Sequence, residues 1–121
     1  TIGLLGLAFK PNTDDLREAP AISIIQKLVE RGCKVKAHDP VAMERFRMEH
    51  GDLEVTLCHD ASAVIRDTDA VVLVTDWQEY RDVPWIELAK VTRKPLMLDG
   101  RNFLSRSLME EAGFRYVAFG T

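Results

Sequence analysis

Ala70-Val71-Val72-Leu73-Val74-Thr75 is the strongest apolar run of strand length in the chain, and it has no polar face. A strand with one side in water alternates apolar and polar residues. A run apolar at successive positions belongs to a strand covered on both faces, as in a parallel sheet with helices above and below. Further runs of strand length lie at residues 1–6, 34–38, 54–58, 95–98 and 116–119. Stretches of helical period separate them. Pro20 suits the first turn of a helix, Ile22, Ile25, Leu28 and Val29 form its apolar stripe, and Gly32 stops it. Further helices are expected over 43–50, from a cap at Asp60 or Ser62 through Arg66, over 85–91 behind Pro84, and over 105–112, stopped by Gly113. Strand and helix thus alternate through six strands and five connections. Right-handed crossovers turn that order into an α/β fold, a Rossmann-like doubly wound parallel sheet of about six strands in three α/β/α layers. In such a sheet the ligand crevice lies beyond the carboxyl ends of the strands. The segments to search are therefore 7–20, 38–40, 75–80 and 99–103.

Composition bounds the class. With 121 residues the chain has the size of one domain; 46% of it is hydrophobic and 29% charged, and the net charge is −3. That balance argues against a nucleic-acid binder, which would carry a basic face. No apolar run approaches the roughly 20 residues that span a bilayer, no signal peptide precedes the first strand, and no internal repeat or linker is visible. Cys33 and Cys58 are too few for a disulfide framework and lack metal-ligand spacing, which points to a reducing compartment, the cytoplasm. Thr1 leads directly into an apolar strand without an initiator Met, so the chain reads as a single domain, 1–121, cut from a larger protein.

A dinucleotide fingerprint needs Gly-x-Gly-x-x-Gly between the first strand and first helix. From Gly3 the required positions hold Leu5 and Ala8; from Gly6 they hold Ala8 and Pro11. Both registers fail, and the loop is too long for the usual tight turn, so the domain is not expected to bind NAD alone in the usual way. Asp39 stands where a ribose-binding acid would stand; without the glycine turn it reads as a helix cap or turn residue. The loop from Phe9 to Pro20 carries Lys10 and Arg17, several acids and two prolines. It reads equally as a solvated connection or as a stiff functional loop. Asp99-Gly100-Arg101 ends the fifth strand. Gly100 permits a sharp turn, and Arg101 is aimed at the same crevice as Lys10. Two cations and the Phe9 ring suit a phosphate, a carbonyl and a ring face; the alternative for Arg101 is a surface ion pair with Asp99 or Asp14. His38, His50 and His59 share no metal spacing, and no metal site is expected. The two cysteines read as small core residues, and Trp77, Tyr80, Val83 and Trp85 as packing beneath a loop or at an interface rather than ligand lining.

The stretch from Gly6 to Pro20, Gly-Leu-Ala-Phe-Lys-Pro-Asn-Thr-Asp-Asp-Leu-Arg-Glu-Ala-Pro, resembles the signature loop of the UDP-glucose/GDP-mannose dehydrogenase family, departing from it in having Ala19 for a Ser. Val35 to Pro40, the Val74-Thr75-Asp76-Trp77-Gln78-Glu79-Tyr80 segment and Asp99-Gly100-Arg101-Asn102 match that family in order and spacing. The Trp77 segment favours the UDP-glucose branch; a dehydrogenase of UDP-N-acetylmannosamine or GDP-mannose is the alternative. From a different class comes a stand-alone, non-catalytic nucleotide-binding module. The resemblance implies an oxidoreductase of nucleotide-sugar metabolism and polysaccharide biosynthesis. Such an enzyme oxidises the sugar C6 alcohol to a carboxylate in two NAD-dependent hydride transfers, through a Cys nucleophile. The chain would be its C-terminal UDP-sugar-binding domain. By motif position Phe9, Lys10 and Arg101 would contact the nucleotide-sugar, and Arg17 would reach across the cleft to the NAD pyrophosphate. No catalytic residue lies in this fragment, which is expected to be inactive alone. NAD would be bound mainly by an N-terminal domain, and the expected partners are the N-terminal and central domains of the same chain in a homo-oligomer.

Overall fold

In the computed structural model, which describes residues 1–119, the apolar runs form one sheet. Its strands are β1 (Ile2–Leu5), β2 (Val35–His38), β3 (Thr56–Leu57), β4 (Ala70–Leu73), β5 (Leu96–Asp99) and β6 (Arg115–Ala118). They lie in the order β3-β2-β1-β4-β5-β6, every neighbouring pair parallel. Helices α1 (Pro20–Glu30), α2 (Met43–His50), α3 (Ala61–Ile65), α4 (Trp85–Ala89) and α5 (Arg106–Ala112) make the connections. The period-2 geometry of a strand sends successive side chains to opposite faces, and β1 shows the result. Leu4 packs with Leu7, Ile25, Val35 and Phe46 beneath α1 and α2, whereas Leu5 packs with Val64, Ile65, Leu73, Leu88 and Met109 beneath α3, α4 and α5. These two apolar layers are the doubly wound, three-layer architecture expected from the sequence.

The differences are local. β3 is two residues long, because only Thr56 and Leu57 find partners, on Lys36 and Ala37 of β2. β4 ends at Leu73 because Val74 and Thr75 both donate backbone N–H groups to the Leu5 carbonyl, at 2.9 and 3.3 Å, and the chain turns there. A single-turn 3-10 helix, Gln78–Asp82, was not expected from the sequence. Of the two candidate caps for α3, Asp60 serves, its Oδ1 accepting from Ala63 N at 2.8 Å. Ala19 occupies the N-cap position of α1 and offers no side-chain cap. Both cysteines are only partly covered, which corrects the reading of them as core residues: Cys58 packs against the edge of one apolar layer, and Cys33 borders a groove at the amino ends of the strands.

The sheet reverses its direction of growth between β1 and β4, and the backbone beyond these two strands is tightly specified. Gly6 leaves β1 at φ 102°, in the left-handed region. A Cβ there would collide with the Cβ, Oγ1 and backbone nitrogen of Thr75. The fully buried Asp39 follows β2. Its Oδ2 accepts from Leu7 N at 2.8 Å, Ala8 N at 3.0 Å and the Trp77 indole N–H at 3.1 Å, and its Oδ1 from Val41 N at 2.9 Å and Ala42 N at 2.8 Å. Asp39 is thus the turn residue the sequence suggested, and it also ties the first loop to the loop after β4.

Two outcomes follow. Gly6→Ala meets both a disfavoured φ and a blocked Cβ, so it should cost at least about 3 kcal/mol; an unchanged urea midpoint would contradict the close approach. Asp39→Ala leaves several buried donors without an acceptor, each worth roughly 1–3 kcal/mol. Unfolding should show a loss on the order of 4 kcal/mol, and a loss below about 1 kcal/mol would mean the carboxylate is not the clamp described.

Candidate functional site

Beyond the carboxyl ends of the strands, the segment 99–104 is the most completely determined. The buried Asp99 accepts from Arg101 N at 2.9 Å through Oδ1, and from Phe103 N at 2.8 Å, Leu104 N at 2.7 Å and the Tyr116 hydroxyl at 2.7 Å through Oδ2. Burial and that bond push the Tyr116 phenol well above its ordinary range, so it remains a neutral donor. Gly100 N donates to Leu73 O at 3.0 Å, and a Cβ on Gly100 would stand 3.0 Å from the same carbonyl. Arg81, from the 3-10 turn, donates to Phe103 O at 3.1 Å and lies 3.9 Å from the Phe103 ring centroid. The turn that carries Arg101 is therefore fixed from below, from β4 and from the side.

The Arg101 side chain is 41% exposed, with Nε 3.4 Å from Asp76 Oδ1. It is ion-paired, but with neither partner expected from the sequence. Asp99 is wholly engaged by the turn, and Asp14 is taken by Arg45, Nε to Oδ2 at 2.9 Å. Asp76 and Arg81 were missed as site residues. The signal for Asp76 was present, since it directly follows the most apolar strand at its carboxyl end.

The first loop is no solvated connection. Leu7, Ala8, Leu16 and Ala19 are buried, Phe9 N donates to Asp15 O at 2.8 Å, and Thr75 Oγ1 donates to Ala8 O at 2.7 Å. Asn12 and Glu18 take left-handed backbone, at φ 67° and 58°. Asn tolerates that region; for Glu it is uncommon and marks a conformation imposed by the anchors on either side. Pinned in this way, the loop leaves Phe9 43% exposed and Lys10 exposed, and among the described residues Lys10 makes no ion pair. Arg17 is also exposed and closes on Asp15 as a fork, Nε to Oδ1 at 3.0 Å and Nη2 to Oδ2 at 2.9 Å. This pairing holds the Asp15 carboxyl down at about 2.

Phe9 and Lys10 leave the sheet after β1 and Arg101 leaves after β5, with β4 between. Arg17 faces elsewhere: with Thr13, Asp14, Asp15, Arg45 and Glu49 it borders a shallow groove of about 360 Å³ beside α2. Trp77, Tyr80 and Trp85 are buried, as the packing reading expected. The Tyr80 hydroxyl donates to His38 O at 3.1 Å, which makes His38 Nδ1, 3.0 Å from the phenol oxygen, the other donor. Burial lowers the His38 pKa, so the imidazole under the loop is neutral at pH 7. Asp39, with every lone pair spoken for, has no capacity for a ribose hydroxyl. The switch point of this domain therefore does not fit a dinucleotide in the usual Rossmann manner.

Comparison with known proteins agrees with this geometry. The pattern of the UDP-glucose/GDP-mannose dehydrogenase family, UDP binding domain, matches residues 3–106. The chain is 41% identical over 120 residues to the UDP-glucose 6-dehydrogenase TuaD of Bacillus subtilis, an alignment covering 99% of this chain and 26% of that protein. A UDP-glucose 6-dehydrogenase of Pseudomonas aeruginosa is 40% identical, with 99% and 27% covered. Among solved structures, a UDP-glucose dehydrogenase from Pyrobaculum islandicum superposes with a TM-score of 0.77 at 37% identity, over 96% of this chain and 24% of that one. A UDP-D-ManNAc dehydrogenase from Pyrococcus horikoshii superposes with a TM-score of 0.73 at 30% identity, over 97% and 24%. The chain thus spans about a quarter of the length of the relatives it matches. Sheet order, signature loop and sequence converge: this chain belongs to the UDP-glucose/GDP-mannose dehydrogenase family and is a UDP binding domain of it.

Proposed function

We propose that the chain is the C-terminal, nucleotide-sugar-binding domain of an NAD-dependent UDP-glucose 6-dehydrogenase, which oxidises UDP-glucose to UDP-glucuronate. The observation that carries this reading is Arg101, held on a fixed turn at the carboxyl edge of the sheet with its two terminal nitrogens making no hydrogen bond among the described residues. A planar fork of donors suits phosphate oxygens and uracil carbonyls, which offer only acceptors. Lys10, exposed and without an ion pair among the described residues, adds a compact positive charge, and the exposed Phe9 ring an apolar face. The domain supplies binding and orientation; hydride transfer belongs to NAD, which an N-terminal domain of the same chain would hold. Arg17 is the residue here that would reach toward that cofactor. Together with a central domain and a second subunit, the enzyme would work in the cytoplasm, in keeping with two unpaired cysteines.

The decisive experiment is UDP binding by calorimetry to the full-length enzyme and its Arg101→Ala variant. Loss of a charge-assisted contact costs on the order of 1.5–3 kcal/mol, so affinity should fall about ten- to hundredfold. Arg101→Lys should not restore it, because an ammonium lacks the fork. Equal affinities would remove Arg101 from the site.

Arg17→Ala should raise the KM for NAD and weaken NADH binding, measured by fluorescence, while leaving UDP affinity nearly unchanged. A raised UDP-glucose KM beside an unchanged NAD KM would show that the role is wrongly assigned.

A further inference from the structure

We infer that Asp76 is a positioning residue for Arg101: it holds the guanidinium by Nε so that the edge bearing both terminal nitrogens faces the nucleotide. The inference rests on the reading of Arg101 given above and adds a residue to it. Asp76 stands between two buried neighbours, Thr75 and Trp77. Thr75 is tied to Ala8 O at 2.7 Å, and the Trp77 indole N–H to Asp39 at 3.1 Å. The backbone under Asp76 therefore cannot drift. Its Oδ1 is shielded from solvent and accepts no hydrogen bond among the described residues, yet lies 3.4 Å from Arg101 Nε. The contact is an ion pair and not a hydrogen bond, and it is the attraction that bears on this oxygen. Arg101 is consequently held at two points, its backbone N–H by Asp99 at 2.9 Å and its Nε by Asp76. The two Nη groups make no hydrogen bond among the described residues, and they form the end of the guanidinium remote from the chain.

Two opposite effects decide what Asp76 does for binding. Freezing the side chain of an otherwise free arginine when a ligand arrives weakens binding by roughly tenfold or more; a guanidinium already held by Nε escapes most of that loss. Against this, a carboxylate near a phosphate repels it. Across several ångströms of a site open to water, that repulsion is worth about threefold in affinity. Positioning outweighs repulsion, so removal of the carboxylate should weaken UDP binding, not strengthen it.

The test is a double-mutant cycle in the full-length enzyme, read by UDP calorimetry, by separate KM values for UDP-glucose and NAD, and by melting temperature. Asp76→Ala and Asp76→Asn should each lower UDP affinity by about five- to tenfold, within the coupling expected of contacting residues. The NAD KM should be unchanged, and Asp76→Glu should recover most of the loss. In an Arg101→Ala background the same substitutions should change UDP affinity by less than about twofold, since the residue through which Asp76 acts is gone. Unchanged or tighter UDP binding in Asp76→Asn would overturn the inference, as would losses that add fully to those of Arg101→Ala. Parallel losses in NAD affinity and melting temperature would reduce Asp76 to a structural residue and overturn it too. If Arg101→Ala itself leaves UDP binding intact, the assignment of Arg101 fails and the inference falls with it. If Arg101→Ala weakens UDP binding and the Asp76 variants do not, the inference fails alone.

Discussion

The Asp39 carboxylate is the constraint on which the ligand edge of this domain depends. Removing an anion from water is tolerable only when its lone pairs are met by donors of good geometry. Here the donors come from three separate places: the loop after β1, the first turn after β2 and the indole after β4. One buried charge thereby fixes the relative positions of segments far apart in sequence. The apolar layers above and below the sheet stabilise the fold as a whole, but they do not determine where Lys10 or Asp76 stands. That is settled by which backbone N–H groups Asp39 collects.

Asp99 repeats the arrangement three strands away, gathering three backbone N–H groups and a phenol into one turn. The division of labour is consistent. Buried acids organise backbone, and partly exposed cations are left to face solvent: Lys10 without an ion pair among the described residues, Arg101 held at Nε, Arg17 folded onto Asp15. A domain with a net negative charge can therefore still present positive groups along one edge.

The fold was legible because parallel sheets leave a strong signature. Residues 70–75 carry no polar face, and strand and helix alternate without interruption. Ends of elements were less so. Val74 and Thr75 are as apolar or β-branched as a strand requires, but both N–H groups are drawn to the single Leu5 carbonyl, a contact with no local sequence mark. The demotion of Asp39 to a turn residue was a correct inference from spacing. The partner of Arg101 was not: Asp99 adjoins it in sequence, and nothing in the sequence reveals that a carboxylate two residues away would be consumed by the backbone. Asp76, twenty-five positions earlier, became its neighbour through the β4–β5 pairing that sets Leu73 beside Asp99. Long-range ion pairs of this kind follow from sheet register, and register emerges only when the whole sheet assembles.

The central place of β1 also bears on how the chain acquires its structure. Ile2 pairs with Val35 on one side and with Ala70 on the other, so the first strand of this domain to be synthesised lies in the middle of its finished sheet. Its second neighbour cannot be engaged until well over half of the domain has been synthesised. Pairings so distant in sequence carry a large loop-closure cost and form late. During translation an apolar segment with one open hydrogen-bonding edge must wait, and the half-built sheet of β1, β2 and β3 offers that edge to any other strand. The geometry that gives a crevice to the mature domain thus makes its nascent form dependent on a timely β4, and substitutions that slow the arrival or seating of β4 would lower the yield of folded protein without touching a ligand contact.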